Sequence, residues 1–600
     1  MFQPAAAQPL YLPLLEGEVI RLVDLLPGEG DDPVSLRLLI AELGHHPEYE
    51  AISYVWGDPS QTVSVLCNGR PLAITVSLNA VFKRVRYPDR SRILWADAVC
   101  INQWHDDERS HHVAFMGKVY SYAKRVLVHF GDDLDGDAVN VSSLVKEYAA
   151  LISKYKSVHD MPILSAEDPA LDDPRWKTLS RFHHLPWWTR AWVVQEVGLA
   201  REPFCLYGNE GFDYRDLMRL AVWTTRCAPH LEFRHDVSFA TVHTDWLDWS
   251  SNWRESSPDP SQTFLGLMNH SRWLSCRLKK DHIYALLGHP LAQLEPSGDL
   301  IVQPAYNKTD EDVYLELGKS LIRSHGLRVL SPVDHNEETW TSNLVPSWLP
   351  FYHNVELTAC NFGVFPDFWY EASAGSEGQA VTVAEGTNLH VRGLLVDIVK
   401  RSLPFTEAGL EDLGRFPTDR LAIGNQNTLL DHIMAEAMAK ANGQAYDAGD
   451  KIPALSLTLC AGLSRYRCAE DNLHQHCEDF AAYYRLRKGL DDESDFPQWM
   501  PHDRAHGDYE KYLTDMKLVC EGRSFIFTEK GRFGLGPLIA APGDVCCILF
   551  GATVPFILRR TQREGYFKLV GEAYLHGLMR GEALSLSTAS SPEEQTLIIC

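Results

Sequence analysis

Apolar positions in the first third of the chain follow two alternating periods. Three short runs rich in β-branched and apolar residues, EAISYVWGD (50–58), ILWADAVCINQ (93–103) and RVLVHFGD (125–132), are each closed by Gly, Asp or Asn. Between them the apolar spacing is helical: Leu78, Val81, Phe82 and Val85 behind a candidate N-cap Ser77, then Val113, Met116, Val119, Tyr120 and Ala123 behind Asp106. Strand, helix, strand, helix, strand predicts an α/β fold, a mostly parallel sheet flanked by helices. The expectation is that residues 49–57, 93–99, 126–130 and 203–207 share that sheet. Polar residues just past parallel strand ends gather in one crevice, the usual ligand site. Ser53, Trp56, Gly57, Asp97, Asn102 and Gln103 all fall there.

The pattern divides the chain into four regions. Residues 1–45 read as a lead-in with an apolar strand around Leu36–Leu43. Residues 46–210 hold the α/β pattern, including a hairpin at 63–75 turning on Asn68-Gly69, a helix over 139–155 and a strand at 204–208. Trp188 to Ala200 has helical spacing that places Trp192 and Glu196 one turn apart on one face. Residues 211–384 form a helical middle region, with DHIYALLGH read as a helix opened by Asp281 and ended by Gly288. Residues 385–600 alternate with Gly-rich turns and predict a β-rich C-terminal module, a small antiparallel barrel or meander with a helical insert at 426–487. A loop is expected at 490–508.

Composition narrows the chemistry. With 45% hydrophobic and 23% charged residues among 600, a large core is available. A net charge of −24 argues against nucleic acid or an anionic membrane as the main partner. Thirteen scattered cysteines suggest free thiols in a reducing compartment. The N-terminal stretch lacks a basic n-region and is broken by Pro, and the longest apolar run, near 545–558, is too short to span a bilayer. The chain reads as cytoplasmic.

Candidate chemistry is weighed residue by residue. Glu196 is either a carboxylate facing a ligand or an exposed helix residue paired with Arg190 or Arg201. Asp97 either orients Arg109, Arg190 or a ribose, or caps the turn after its strand. Asn102 is a ligand reader or an Asx turn. Cys100 with His105, His111 and His112 suggests a Cys/His nucleophile, against which stands a buried inert thiol. Cys460, Cys468, His474, His476 and Cys477 match no common zinc spacing, so no metal is expected. GRFGLGP (531–537) lacks the Lys-Ser/Thr of a phosphate loop.

The blocks SYVWG (53–57, with Ser53, Tyr54, Trp56 and Gly57), WADAVCINQ (95–103), ER (108–109), VLVHFGD (126–132) and WWTRAWVVQE (187–196) together resemble the heterokaryon-incompatibility (HET) domain of filamentous fungi. The family often has an acidic residue where this chain has Trp104 and His105, and usually Gln where it has His112. The resemblance implies a fold like that of Toll/interleukin-1 receptor (TIR) domains, some of which cleave NAD, and a role in self/non-self recognition and cell death after fusion of unlike cells. It also implies that Glu196, one turn after Trp192, matches the Trp-x-x-x-Glu spacing of NAD-cleaving TIR domains. A carboxylate there would stabilise oxocarbenium charge on a ribose, and the ring would supply a stacking face. Glu196 is the implied catalytic residue, with Ser53, Tyr54, Trp56, Gly57, Asp97, Asn102 and Trp192 binding ligand. Asp97, Trp192, Glu196 and the 53–57 loop are expected to border one pocket. No cofactor is expected; NAD enters as a candidate substrate. The alternatives are a nucleotide hydrolase and a non-catalytic module that self-associates or meets an incompatibility partner protein, with a Cys100 hydrolase third. As an exposed helix residue, Glu196 should tolerate replacement by Ala at about 0.5 kcal/mol of stability.

Overall fold

The structure, a computed structural model, describes residues 10–14, 16–156, 158–165, 167–237, 239, 263–294, 296–341, 345–352, 360–364, 369–376, 382–383, 386–414, 428–439, 445–447, 449–465, 467–490, 507–585 and 594–600. The chain divides into two compact units, Met1–Val313 and Tyr314–Cys600.

The first unit is built on a nine-stranded sheet. In chain order its strands are β1 (Val19–Leu25), β2 (Ser35–Glu42), β3 (Glu50–Tyr54), β4 (Thr62–Cys67), β5 (Arg70–Thr75), β6 (Arg92–Trp95), β7 (Arg125–Gly131), β8 (Pro203–Tyr207) and β9 (Glu210–Asp213). They lie side by side as β5-β4-β2-β1-β6-β3-β7-β8-β9. The alternating pattern does yield a parallel core: β6, β3, β7 and β8 all run the same way. Counted in chain order within that core, the strands stand 2-1-3-4, a doubly wound order whose switch point is the C-terminal end of β3. The whole sheet is mixed rather than mostly parallel. β1 runs antiparallel to both β2 and β6, β4 to β5, and β8 to β9. Short connections force the β1–β2, β4–β5 and β8–β9 pairs to be antiparallel, whereas the helical crossovers leave β3, β6, β7 and β8 parallel. The 1–45 stretch is therefore no mere lead-in, because β1 and β2 are integral strands.

Helix boundaries also differ from expectation at their caps. α1 (Val76–Val85) begins two residues early, with Thr75 Oγ1 accepting from Leu78 N at 3.2 Å. Ser77 instead donates its hydroxyl to the Val55 carbonyl. The 93–99 run leaves the sheet at Trp95, and Asp97 opens the single turn α2 (Asp97–Cys100). α3 (Asp106–Tyr122) is capped by His105, not Asp106, through Nδ1 accepting from Glu108 N at 3.2 Å. The hairpin turn is as expected: Asn68 and Gly69 both take positive φ, 50° and 75°. α4 (Ala138–Ile152) and α5 (Arg175–His183) follow. The expected helix over 188–200 is only α6 (Val193–Gly198), preceded by a 3₁₀ turn at Pro186–Thr189. Asp281 opens only a four-residue helical turn, Asp281–Tyr284. Gly288 ends that segment against Gly117 of α3, where an added Cβ on Gly117 would stand 2.7 Å from the Gly288 Cα. A side chain at either position would push the two backbones apart.

Buried apolar residues from both faces of the sheet and its helices form the core: Ile52, Leu94, Trp95, Val126, Val128, Leu78, Phe82, Val119 and Tyr120 are all at most 2% exposed. A buried ion pair stitches the N-terminal segment to this core. Arg21 Nη1 lies 2.5 Å from Glu108 Oε1, with side-chain exposures of 3% and 0%. Glu108 also accepts from Asn102 N at 2.9 Å, and Arg21 donates to the carbonyls of Cys100 and Leu12.

The second unit holds the β-rich module. Its strand Leu389–Pro404 pairs with Val545–Leu549, Glu594–Ile599 and Arg523–Thr528. Val545–Leu549, Phe556–Arg560, Tyr566–Glu572, Glu594–Ile599 and Leu389–Pro404 join in a closed circuit, so the barrel rather than the meander is realised. One parallel contact, Tyr566–Phe567 with Ile598–Ile599, departs from the antiparallel expectation. Leu394, Val396, Ile526, Ile548, Ile557 and Val570 fill its core. Helices Leu429–Met438, Lys451–Leu459 and Leu473–Lys488 lie in the insert. Of the loop expected at 490–508, residues 491–506 lie outside the described residues, as do 240–262 of the middle region.

Candidate functional site

Ser53 sits on β3 at the switch point, fully buried, one residue before the strand ends. Its hydroxyl donates to Glu196 Oε2 at 2.5 Å and accepts from Trp187 Nε1 at 2.9 Å. α6 packs against α3, β3 and β7, which turns Glu196 inward to 1% exposure. Both its oxygens are engaged by Arg190, Nη1 to Oε2 at 3.1 Å and Nη2 to Oε1 at 2.9 Å. The Arg190 side chain keeps 15% of its surface exposed. The pairing with Arg190 is therefore real, but the exposed helix face is not. Trp187 is held from behind by Phe130 of β7, ring centroids 4.8 Å apart.

Asp97 forms the other side of the site. Trp56 Nε1 donates to its carboxylate at 3.0 and 3.2 Å, and Ala98 N donates at 2.7 Å. Burial, and then the charge of Glu196, push the Asp97 carboxyl up to about 7, against the opposing effects of Arg190, the Ala98 N–H and Trp56. Arg190 bonds Glu196 directly and acts on Asp97 through its charge, and the Asp97 carboxyl gains a proton near neutrality. Tyr54, 2% exposed, brings a buried hydroxyl that has no hydrogen-bond partner among the described residues. Its acidity is suppressed by burial and by Asp97 and Glu196, so it remains a neutral donor. Gly57 has φ +73°, and an added Cβ would meet Ser77 Cβ at 3.4 Å, so this turn favours glycine.

Other candidates stand elsewhere. Asn102 is occupied as an Asx turn, its side-chain oxygen accepting from Trp104 N at 3.3 Å. Gln103 donates to the Asp97 main-chain carbonyl at 3.0 Å and so braces the site from outside. Trp192 is half-buried at the N-cap of α6; its main-chain carbonyl accepts from Glu196 N at 3.1 Å, but among the described residues no side-chain hydrogen bond or ring contact joins its indole to Asp97 or Glu196. Arg109 pairs with Asp106 and lies over the Tyr306 ring at 3.7 Å, not on Asp97. Cys100 is fully buried with its thiol pushed up to about 12, which leaves almost no thiolate for nucleophilic work. All thirteen cysteines are unpaired. Among the described residues no group of three His, Cys, Asp or Glu is placed to hold a metal ion.

Sequence reasoning underweighted Arg190, Trp187 and the Tyr54 hydroxyl. The signal for the first two is their place in the same Trp-rich block as Glu196. Nothing in the pattern announces that a strand serine will bridge to it across 143 residues.

Comparison with known proteins agrees with this assignment of elements. Residues 49–196, which run from the start of β3 to the buried carboxylate, match the family model for heterokaryon incompatibility protein (HET). Residues 454–591 match that of the Het-6 beta-barrel domain. The chain is 23% identical to heterokaryon incompatibility protein 6, OR allele, of Neurospora crassa, over 94% of each chain. No solved structure matches the chain. Among the described residues no helix is long and apolar enough to cross a membrane. The Trp-rich, serine-bridged block folded around β3 therefore lies in a matched heterokaryon-incompatibility (HET) domain, followed along the chain by a matched Het-6 beta-barrel domain.

Proposed function

We propose that this chain acts in the cytoplasm in fungal self/non-self recognition and cell death, through hydrolysis of NAD or a related nucleotide at the Asp97–Arg190–Glu196 site. The observation that carries this reading is the pair of carboxyls at one parallel strand edge, one ion-paired and one pushed up to about 7. The 2-1-3-4 order of the parallel strands supports the TIR-like comparison, since ligands of doubly wound sheets sit at that switch point.

The chemistry assigns roles that differ from the Trp192–Glu196 expectation. Glu196 has both oxygens occupied, so it positions Arg190 and Ser53. Asp97 is the accessible carboxyl. As the C1′–N bond breaks, its electron pair leaves with nicotinamide and positive charge builds on the ribose. The Asp97 carboxylate stabilises that charge, and it accepts the proton of the water that adds at C1′. The Tyr54 hydroxyl is a donor for a ribose oxygen. Arg190, with its exposed edge, faces the diphosphate.

The test is nicotinamide release from NAD by the purified full chain. Asp97→Asn keeps the shape and the Trp56 contact. It should cut the rate at least about a hundredfold, as expected when a charge-stabilising group is lost. A wild-type rate in that variant refutes the assignment. Absence of release by the unaltered chain favours a second reading, a non-catalytic, self-associating signalling module. The saturation of Glu196 by Ser53 and Arg190 is what favours that reading, and sedimentation of the full chain at rising concentration tests it.

A further inference from the structure

Arg190 and Glu196 stand near the two ends of one short stretch of chain, and a later stretch grips it at both ends. At the Arg190 end, Ser275 N donates to the Thr189 carbonyl at 2.5 Å, and Ala191 N donates to the Ser275 carbonyl at 3.2 Å. Arg190 and Ser275 thereby form a parallel bridge. At the Glu196 end, Gly288 N donates to Gln195 Oε1 at 3.1 Å. The gripping stretch, 275–288, is anchored elsewhere: Gly288 closes on Gly117 of α3, and the Tyr284 hydroxyl accepts from Ala305 N at 2.9 Å. It lies beyond residues 49–196, the span of the HET match.

Gln195 is a costly residue to bury. It is 0% exposed, yet its Nε2 has no hydrogen-bond partner among the described residues, so half of its amide is left unsatisfied. A methionine would fill similar space without that cost. What the amide supplies is a fixed distance between α6 and the 275–288 stretch. That distance has no slack, because a Cβ on Gly288 would stand 2.3 Å from Gln195 Oε1 and 3.1 Å from Gln195 Cβ.

We propose that Gln195 is a positioning residue of the candidate site: through Gly288 it sets α6, and with α6 the Glu196 carboxylate that aims Arg190 into the crevice beside Asp97. The inference rests on the reading of Asp97 and Arg190 as the site, and adds to it a stretch of chain outside the family match. When the grip loosens, α6 moves off β3, Glu196 recedes from Asp97 and water enters the crevice. Burial and the Glu196 charge are what hold the Asp97 carboxyl up at about 7, and both weaken together. Arg190, which acts the other way, is carried along by its two bonds to Glu196. The other titratable neighbours, Tyr54 of β3, Tyr120 of α3 and Cys100 of α2, are all raised by burial and stay uncharged. The Asp97 midpoint should therefore fall.

That midpoint is read in the full chain, without catalysis, from the difference between pH–stability profiles of paired chains with and without Asp97→Asn. Gln195→Met, which keeps the bulk and removes the acceptor, should lower the midpoint by about half a pH unit or more. Gly288→Ala presses on the same contact from the other side and should lower it as well; it decides the matter if Gln195→Met does not fold. Leu144→Ala, in α4 where it packs on α5 and β9, weakens the same unit without touching the grip and should leave the midpoint in place. A midpoint unmoved in Gly288→Ala or in folded Gln195→Met, or one that moves as far in Leu144→Ala, would overturn the proposal. A chain that releases no nicotinamide refutes the nucleotide reading but leaves this titration readable, so the two failures are told apart.

Discussion

Replacing Glu196 by alanine should destabilise the first unit by several kcal/mol, not by the few tenths expected of an exposed helix residue. The substitution removes a carboxylate at 1% exposure that accepts three hydrogen bonds, one from Ser53 and two from Arg190. It strands the Arg190 side chain, only 15% exposed, and a fully buried serine hydroxyl. Breaking a buried pair by deleting one partner costs about 3–5 kcal/mol, and the exposed edge of Arg190 places this case near about 3. Glu196→Gln keeps the volume but loses the charge and turns one N–H₂ toward Arg190, for about 1.5–3 kcal/mol. Removing both partners in Glu196→Ala/Arg190→Met should recover part of the loss, because no charge is then left unpaired. The assay is thermal unfolding of the full chain, where the transition that moves identifies the first unit. A loss of about 3 kcal/mol lowers its midpoint by roughly 4–6 °C. A shift of Glu196→Ala within about 0.5 kcal/mol of wild type, or a double variant worse than the sum of the singles, would refute the buried-pair argument. Activity lost in Glu196→Ala is therefore ambiguous between chemistry and folding, which is why Asp97→Asn is the informative probe.

Three further outcomes follow from the same geometry. The Asp97 carboxyl is raised in the folded chain, so between about pH 4 and 7 the native state binds more protons than the unfolded one. Stability should fall as pH rises through that window, and Asp97→Asn should flatten the profile. In the same chain, nicotinamide release should climb with pH around a midpoint near 7, as the carboxylate forms; a flat rate from pH 6 to 8 would contradict its role as base. Gly288→Ala should cost about 1–3 kcal/mol in a denaturant titration, because the new Cβ would lie 2.3 Å from Gln195 Oε1 and 2.9 Å from the Gly117 Cα.

Periodicity made the parallel core legible, because β3, β6, β7 and β8 each carry a continuous or alternating apolar run closed by a turn residue. The hairpin was legible through Asn68-Gly69, whose backbone demands are local. β1 and β2 were harder, since two neighbouring strands with a Pro- and Gly-rich turn do not reveal which sheet they join. The 188–200 helix was overextended because Trp187 and Trp188 are buried for reasons other than helical spacing, the first against Phe130 and Ser53. Asp97 was placed well by its position after a strand. Glu196 was found by resemblance, but its burial and its two partners depend on contacts that no one-dimensional pattern encodes. Asn102 and Trp192 fell out of the site for local reasons, an Asx turn in one case and a helix N-cap in the other.

The ion pair between Arg21 and Glu108 bears on how this domain can be cut out for laboratory work. The stretch matched by the HET family model starts at Tyr49 and stops at Glu196. A recombinant fragment with those limits would lack β1, which pairs with β6, and β8, which pairs with β7, so both margins of the remaining β6-β3-β7 core would be bared. Unpaired strand margins invite aggregation. Glu108, buried in the intact chain, would also lose its Arg21 partner. A fragment meant to stay in solution needs to begin ahead of Val19 and run past Asp213, so that each margin keeps its native neighbour.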